Sequence, residues 1–443
     1  MGLASASGLP AHARFVRPDA LFATPPAPQP TSTTLTDGDP MTQNRSVIPP
    51  SPSPPRRATF AGVPSAVDLP PDSVARAAVL GAGTSLGSSY SGTENGPYLL
   101  RALSGQFTWS ASQPHVLDVD APHAPLAGVV DLGDVSAADG AAPGEAGGDA
   151  PDGRQLAAYQ DALRRTVAGL PATVAPCVIG GDHSVTLAVV AGLRERGAAP
   201  FDVVQFDHHL DLQTWGEAPG GLDDVPEPLF NTNVMSHVAR EIRPGRLTQL
   251  GIAPYTVAEA PRAETVRRYL DEVGTRHSVV SPVLHDDELF RRTVRPAERV
   301  YLTLDVDVLQ ATDMSSTAYP AVVGLSLTRL FRLIDLVLEG RRLIGFDLVE
   351  FGADRADRGE KTLADGARAA TLFLRLLSLV NRPPGTGATA AGAERTGGER
   401  TGTDRTHGAR AGRGTTGAGT AERAGATDRP ALSGERMDDG VTI

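Results

Sequence analysis

Residues 201–215 read FDVVQFDHHLDLQTW. Val203, Val204 and Phe206 favour a pleated, buried backbone, and the run then ends abruptly in Asp207, His209 and Asp211. In an extended chain, residues two apart point to the same side, so these three side chains are presented together. A strand that is apolar along its length and charged only at its C-terminal end predicts a buried strand opening onto a site.

The same construction recurs. CVIGGDHS (177–184) ends in His183, VYLTLDVD (300–307) ends in Asp305 and Asp307, and RRLIGFDLVEF (341–351) closes on Glu350. ARAAVLGAG (75–83) is a further strand candidate. Between the strands, LAAYQDALRRTVAGL (156–170), SVTLAVVAGLRERG (184–197), ETVRRYLDEVGTR (264–276), LTRLFRLIDLVLEGRR (327–342) and ARAATLFLRLLSLVNR (367–382) carry apolar groups at three- and four-residue spacing. That spacing predicts amphipathic helices. Alternating strands and helices imply an α/β fold, with a mainly parallel central sheet covered on both faces. Ligands of such sheets bind outside the carboxyl ends of the strands.

Three strand ends would thus deliver His183, Asp207, His209, Asp211, Asp305 and Asp307 to one rim. Four clustered carboxylates repel one another and raise their own pKa values unless cations compensate them. Mixed carboxylate and imidazole ligation without thiolate fits Mn, with Fe, Co or Ni as further options. Six ligands exceed what one ion holding a water can use. Two ions sharing an activated water-derived nucleophile would use them all. Each motif alone has a plainer reading: GGDHS as a glycine turn opening a helix, DxHxD and DVD as solvated strand ends, Glu350 as a surface or capping acid. Their conjunction in parallel-strand contexts argues for metal.

Composition bounds the rest. The chain has 443 residues, a formal net charge of −11, 48 Gly and 36 Pro. An acidic chain argues against nucleic acid as the main partner, and the single Cys177 excludes an intramolecular disulfide. No apolar run reaches the roughly 18 residues needed to cross a bilayer, and no signal-peptide pattern opens the sequence, so a cytoplasmic protein without membrane partners is expected. The Pro/Ser/Thr-rich segment 1–58 and the Gly/Ala/Thr/Arg-rich tail 383–443 are expected to be disordered. Residues 59–75 read as a linker, and 76–382 as one catalytic domain.

These motifs together resemble the ureohydrolases: arginase, agmatinase, guanidinobutyrase and formimidoylglutamase. The similarity covers about residues 78–380. It includes VLGAGTSLGSSYSGTENGPYLLRALS (79–104), VVDLGDV (129–135) and TLDVDVLQATDMSSTAYPAVVGLS (303–326), with the three metal motifs in the family's order. The resemblance implies the three-layer αβα arginase-like fold, two Mn2+ per chain and a homo-oligomer, a trimer or hexamer. It further implies that His183, Asp207, Asp211 and Asp305 hold one ion, and that His209, Asp207, Asp305 and Asp307 hold the other. Asp211 would orient the nucleophile and Glu350 would bind the guanidinium group.

The sequence also departs from the family pattern. His208 stands where Ala is usual, Gln310-Ala311 replaces Asp-Pro, and Gly352-Ala353 follows Phe351 where Asn-Pro is common. In NTNVMSHV (231–238) Asn231 takes the place of the usual proton-shuttling His, and His237 lies six residues later. Protonation of the leaving amine then falls to water, His208 or His237. The expected activity is a manganese amidinohydrolase that releases urea from a guanidino compound other than free arginine. The alternatives are a formimino hydrolase releasing formamide, and a metal-binding protein of the same fold without turnover.

Overall fold

The computed structural model describes residues 58–65, 75–108, 116–119, 124–136, 153–212, 221–224, 228–243, 246–256, 263–352 and 359–382. Most of the two terminal segments read as disordered, 1–57 and 383–443, lies outside these residues. In chain order the elements are β1 (Ala77–Ala82), α1 (Gly96–Leu103), β2 (Val129–Asp134), α2 (Gly153–Ala168), β3 (Ala175–Gly180), α3 (Val185–Glu195), β4 (Asp202–Phe206) and α4 (Val234–Glu241). There follow β5 (Leu247–Ile252), α5 (Ala263–Val273), β6 (Gly274–Ser278), α6 (Asp287–Thr293), β7 (Arg299–Asp305), α7 (Leu327–Val337), β8 (Arg342–Val349) and α8 (Gly359–Val380).

The eight strands form one sheet in the order β2-β1-β3-β8-β7-β4-β5-β6, and every pairing is parallel. Strands β1, β3 and β4 are buried along their whole length, which is what a sheet covered on both faces requires and why they read as unbroken apolar runs. Alternate residues feed opposite faces. Val204, Leu302 and Phe346 pack with Phe290 of α6, Leu333 of α7 and Phe373 of α8. Val203, Tyr301 and Val178 pack with Leu163 of α2, Val189 of α3, Val238 of α4 and Tyr269 of α5. The expected three-layer αβα architecture is the one observed.

Three features differ from the sequence reading. The helix expected over 264–276 stops at Val273, and Gly274 opens β6. A Cβ at Gly274 would lie 2.0 Å from the Leu247 carbonyl oxygen, so only glycine lets β6 pair with β5 there. The segment 59–65, within the stretch read as linker, packs into the core: Phe60 is fully buried, its ring centroid 4.8 Å from that of Phe373, and its N–H donates to Asp131 Oδ2. Strands β2, β5 and β6 carry too many polar residues to be recognised by hydropathy alone.

Candidate active site

The sheet register decides which side chains meet. Phe206 of β4 pairs with Leu304 of β7, so Asp207 and Asp305, one residue further on, leave adjacent strands at the same level. Asp305 pairs in turn with Val349 of β8, which places Glu350 one step beyond it. Val178 and Ile179 of β3 pair with Asp347 and Leu348 of β8, and a tight turn after β3 then carries His183 back over the strand ends. That turn depends on Gly181, where a Cβ would come within 2.0 Å of the Thr84 carbonyl oxygen.

The structure brings all six expected metal ligands together. His183 Nδ1 lies 2.9 Å from Asp211 Oδ2, 3.1 Å from Asp207 Oδ2 and 3.5 Å from Asp305 Oδ2. His209 Nδ1 lies 2.9 Å from Asp307 Oδ2 and 3.7 Å from Asp207 Oδ1. Two ligand groups therefore share Asp207: His183, Asp207 and Asp305 in one, and Asp207, His209 and Asp307 in the other, each with donor atoms within 4.8 Å of one another. His183 Nδ1 is sealed from solvent and makes no directed hydrogen bond, although three carboxylates surround it. That is the arrangement of a ligand atom aimed at a common centre, and the carboxylate–imidazole donor set suits a pair of divalent cations.

The electrostatics carry the same signature. Burial, with the neighbouring Asp211 and Asp307, pushes the Asp207 carboxyl up to about 7. Burial with Asp307 and Asp207 raises Asp305 well above the usual carboxylate range. Burial opposes charge on His183, but the surrounding carboxylates of Asp207, Asp211 and Asp305 outweigh it and hold the imidazole well above its ordinary value. Burial likewise opposes charge on His209, and Asp307 and Asp207 overcome it, raising it to about 11. Protons thus occupy positions that cations would otherwise compensate.

A buried polar chain that the sequence reading missed fixes the His183 ring. His183 Nε2 is 2.9 Å from Thr303 Oγ1, Thr303 Oγ1 is 3.1 Å from Thr186 Oγ1, and the Thr186 hydroxyl donates to Asp347 Oδ2 at 2.9 Å. The Tyr301 hydroxyl also donates to Asp347 Oδ2. With Asp347 accepting, the hydroxyls align in sequence and Nε2 carries the proton, which leaves Nδ1 to face the carboxylates. On the other side, Gln205 Nε2 donates to Asp207 Oδ2 at 2.6 Å and is itself held by Gln249.

Glu350 sits over this cluster in a left-handed conformation, φ 61°, and Asp211 has φ 50°. Strain of this kind on non-glycine residues concentrates at functional sites. Glu350 Oε1 accepts from the His183 backbone N–H at 2.8 Å and from Asn231 Nδ2 at 3.1 Å, while burial, then Asp182, pushes its carboxyl up to about 8. Asn231, which stands in the place of the usual proton-shuttling His, is thus committed to Glu350. His208 lies beside the cluster, with its backbone N–H on Asp307 Oδ1 and its ring edge-on to His209 at 5.5 Å; burial lowers its pKa. His237 is buried on α4, with Nδ1 3.4 Å from Arg240 Nη2. Tyr319 closes the outer side, its ring 5.9 Å from His209 and its hydroxyl donating to Tyr90 Oη.

Residues 75–375 match the family model described as the arginase family. A formimidoylglutamase of Halobacterium salinarum is 29% identical over 352 residues, covering 75% of this chain and 99% of that protein. A formimidoylglutamase of Klebsiella aerogenes is 30% identical over 205 residues, 45% of this chain and 88% of the relative. Among solved structures, the proclavaminate amidino hydrolase of Streptomyces clavuligerus superposes with a TM-score of 0.55 at 22% identity, over 73% of this chain and 97% of that one. Formiminoglutamase of Trypanosoma cruzi, solved with Mn2+, superposes at 0.50 and 17% identity, over 70% and 95%.

Proposed function

Since the chain belongs to the arginase family, we propose that it is a hydrolase that cleaves the C–N bond of an amidine and works with two divalent cations, manganese by preference, held by His183, Asp207, His209, Asp211, Asp305 and Asp307. The observation that carries this reading is the pair of carboxylate–imidazole groups, one of them fully buried, that share Asp207 beside Glu350. Bound there, the cations would bring the pKa of water to near neutrality, about 7, and supply the nucleophile that an unassisted amidine site lacks.

The chain's own residues account for binding and placement. A planar amidinium offers N–H groups that a carboxylate can accept, and charge-assisted bonds of this kind are short and directional. Glu350 is the acceptor best placed for this, with Oε1 already fixed by His183 and Asn231 and Oε2 taking no hydrogen bond among the described residues. Fixing the amidine against Glu350 sets its carbon over the carboxylate rim, so that attack becomes effectively intramolecular. Water adds to that carbon, the bond to the amine-bearing nitrogen breaks, and the departing nitrogen takes a proton. His208, half-buried beside Asp307, can relay that proton, with solvent as the other source.

The substrate expectation changes in emphasis. The curated relatives named above are formimidoylglutamases, which supports a formimino substrate and formamide release ahead of the guanidino substrate and urea release expected from sequence. The guanidino reading stays in play because Glu350 can serve either cation. Incubating the manganese-loaded protein with a formimino amino acid and with a panel of guanidino acids and amines, and assaying formamide and urea separately, tests both. Formamide supports the first reading and urea the second. Two bound ions with neither product would overturn the assignment of turnover.

A further inference from the structure

At the end of the sheet opposite the site, the N-terminal ends of β1, β3, β7 and β8 surround a cavity of about 920 Å³. Six arginines line it, Arg76, Arg196, Arg299, Arg341, Arg342 and Arg382, and Glu298 is the only carboxylate among its lining residues. In a chain of net charge −11, this is a marked local excess of positive charge.

The arginines divide into two groups. Arg341 is tied to the carbonyls of Pro296, Val337 and Glu339, and Arg382 approaches Asp335 at 3.9 Å. Arg196 holds the Val174 and Pro171 carbonyls through Nη1, but its Nε is buried without a hydrogen-bond partner. By contrast, the guanidinium groups of Arg76, Arg299 and Arg342 have no ion-pair or hydrogen-bond partner among the described residues. Arg299 and Arg342 are direct register partners on β7 and β8, so two like charges stand side by side on one face of the sheet. Like charges placed opposite each other on neighbouring strands are destabilising. Burial and the charge on Arg299 together lower the Arg196 guanidinium below its ordinary value.

We propose that this cavity is a binding site for a small polyanion, a metabolite carrying two or more phosphate or carboxylate groups, bridged between Arg299 and Arg342 with Arg76 and Arg196 closing round it. Guanidinium forks match phosphate and carboxylate oxygens two at a time. Val174, Leu343 and Ile344 supply an apolar floor beneath the guanidinium groups. The site is separate from the amidine site and does not rest on the function proposed for it.

Calorimetric titration of the metal-loaded full chain tests the assignment, with fructose 1,6-bisphosphate and benzene-1,3,5-tricarboxylate as probes. Ionic strength is fixed near about 0.15 M, where exposed charges are screened over about 8 Å. We expect one site per chain for at least one probe, with the tighter probe assigning phosphate or carboxylate chemistry. The double variant Arg299→Gln/Arg342→Gln should bind about tenfold or more weakly, with basal turnover and metal content unchanged. Without probe it should unfold at a temperature no lower than the parent, because removing two adjacent like charges relieves the fold. Absence of binding by both probes at millimolar concentration would overturn the proposal, as would undiminished binding by the variant. A variant that melts several degrees lower would also overturn it, by showing that these guanidinium groups serve the fold.

Discussion

Asp207→Asn should make the metal-free protein more stable while removing its capacity for two ions. Burial and the charges on Asp211 and Asp307 raise the Asp207 carboxyl from 3.8 to about 7 in the fold. A raised folded-state value means that the native state holds its proton longer than the unfolded chain does. Stability is therefore lost as pH climbs from about 4 to about 7, and it stays lost above that. At about 1.4 kcal/mol per unit, ionising Asp207 costs the metal-free fold about 4 kcal/mol at pH 8. Asparagine removes that charge but keeps only one acceptor for the two donors on the carboxylate, Gln205 Nε2 and the His209 N–H, each at 2.6 Å. One unsatisfied buried donor returns about 1–2 kcal/mol. The net expectation in chelator is a variant about 2 kcal/mol more stable than the parent at pH 8, with the gain gone by pH 4. Urea unfolding at the two pH values measures it. Manganese should then reverse the order, because ligand binding stabilises only the protein that can hold it, and metal analysis should find fewer than two ions in the variant. A metal-free variant less stable than the parent at pH 8 would refute the reasoning, as would an advantage of equal size at pH 4.

Three further changes probe separate parts of the structure. Glu350→Gln keeps an acceptor for the His183 N–H and Asn231 Nδ2 but loses the charge facing the amidine; kcat/KM should fall by about 10²-fold with metal content unchanged by elemental analysis. Arg101→Met leaves the buried Asp131, which receives Arg101 Nε and Nη2 at 2.8 and 2.9 Å, as an uncompensated charge. It should cost about 3–5 kcal/mol in chemical unfolding. Gly181→Ala drives a methyl group against the Thr84 backbone and should cost about 1–3 kcal/mol, with weaker manganese binding measured by titration, since the same turn positions His183.

The parts of the fold that were legible in the sequence are those whose residues repeat a physical constraint. Strands β1, β3, β4, β7 and β8 lie in the middle of the sheet, have helices on both faces and hence read as apolar runs. Strand β6 is an edge strand of sequence GTRHS, half exposed, and nothing in that composition distinguishes it from the end of α5. Phe60 was invisible for a related reason: a single aromatic in a Pro-rich surrounding has no period, and only Asp131 and Phe373, far away in sequence, give it a place. The carboxylate–imidazole cluster was legible because period-two spacing at strand ends is itself a geometric statement. The Thr303, Thr186 and Asp347 chain behind His183 was not, because each residue is ordinary alone and the three come from different elements.

Strand order is what the motifs could not supply, and it explains the chemistry at both ends of the sheet. With β3, β8, β7 and β4 side by side, every strand end bearing His183, Glu350, Asp305 or Asp207 falls within one rim, so the negative charge is concentrated rather than spread over eight strands. The same adjacency acts at the opposite end, where β7 and β8 begin on Arg299 and Arg342 in register. Of these central strands, β7 and β8 start on guanidinium groups and lead into the carboxylates Asp305 and Glu350. The rim is offset only in part by His183 and His209, and burial and mutual repulsion still raise the Asp207 and Asp305 carboxyls, while three floor arginines lack partners among the described residues. A bulge between Val300 and Tyr301 shifts the β7–β8 pairing by one residue, so the Arg299–Arg342 pairing at the floor and the Asp305–Val349 pairing at the rim belong to different registers.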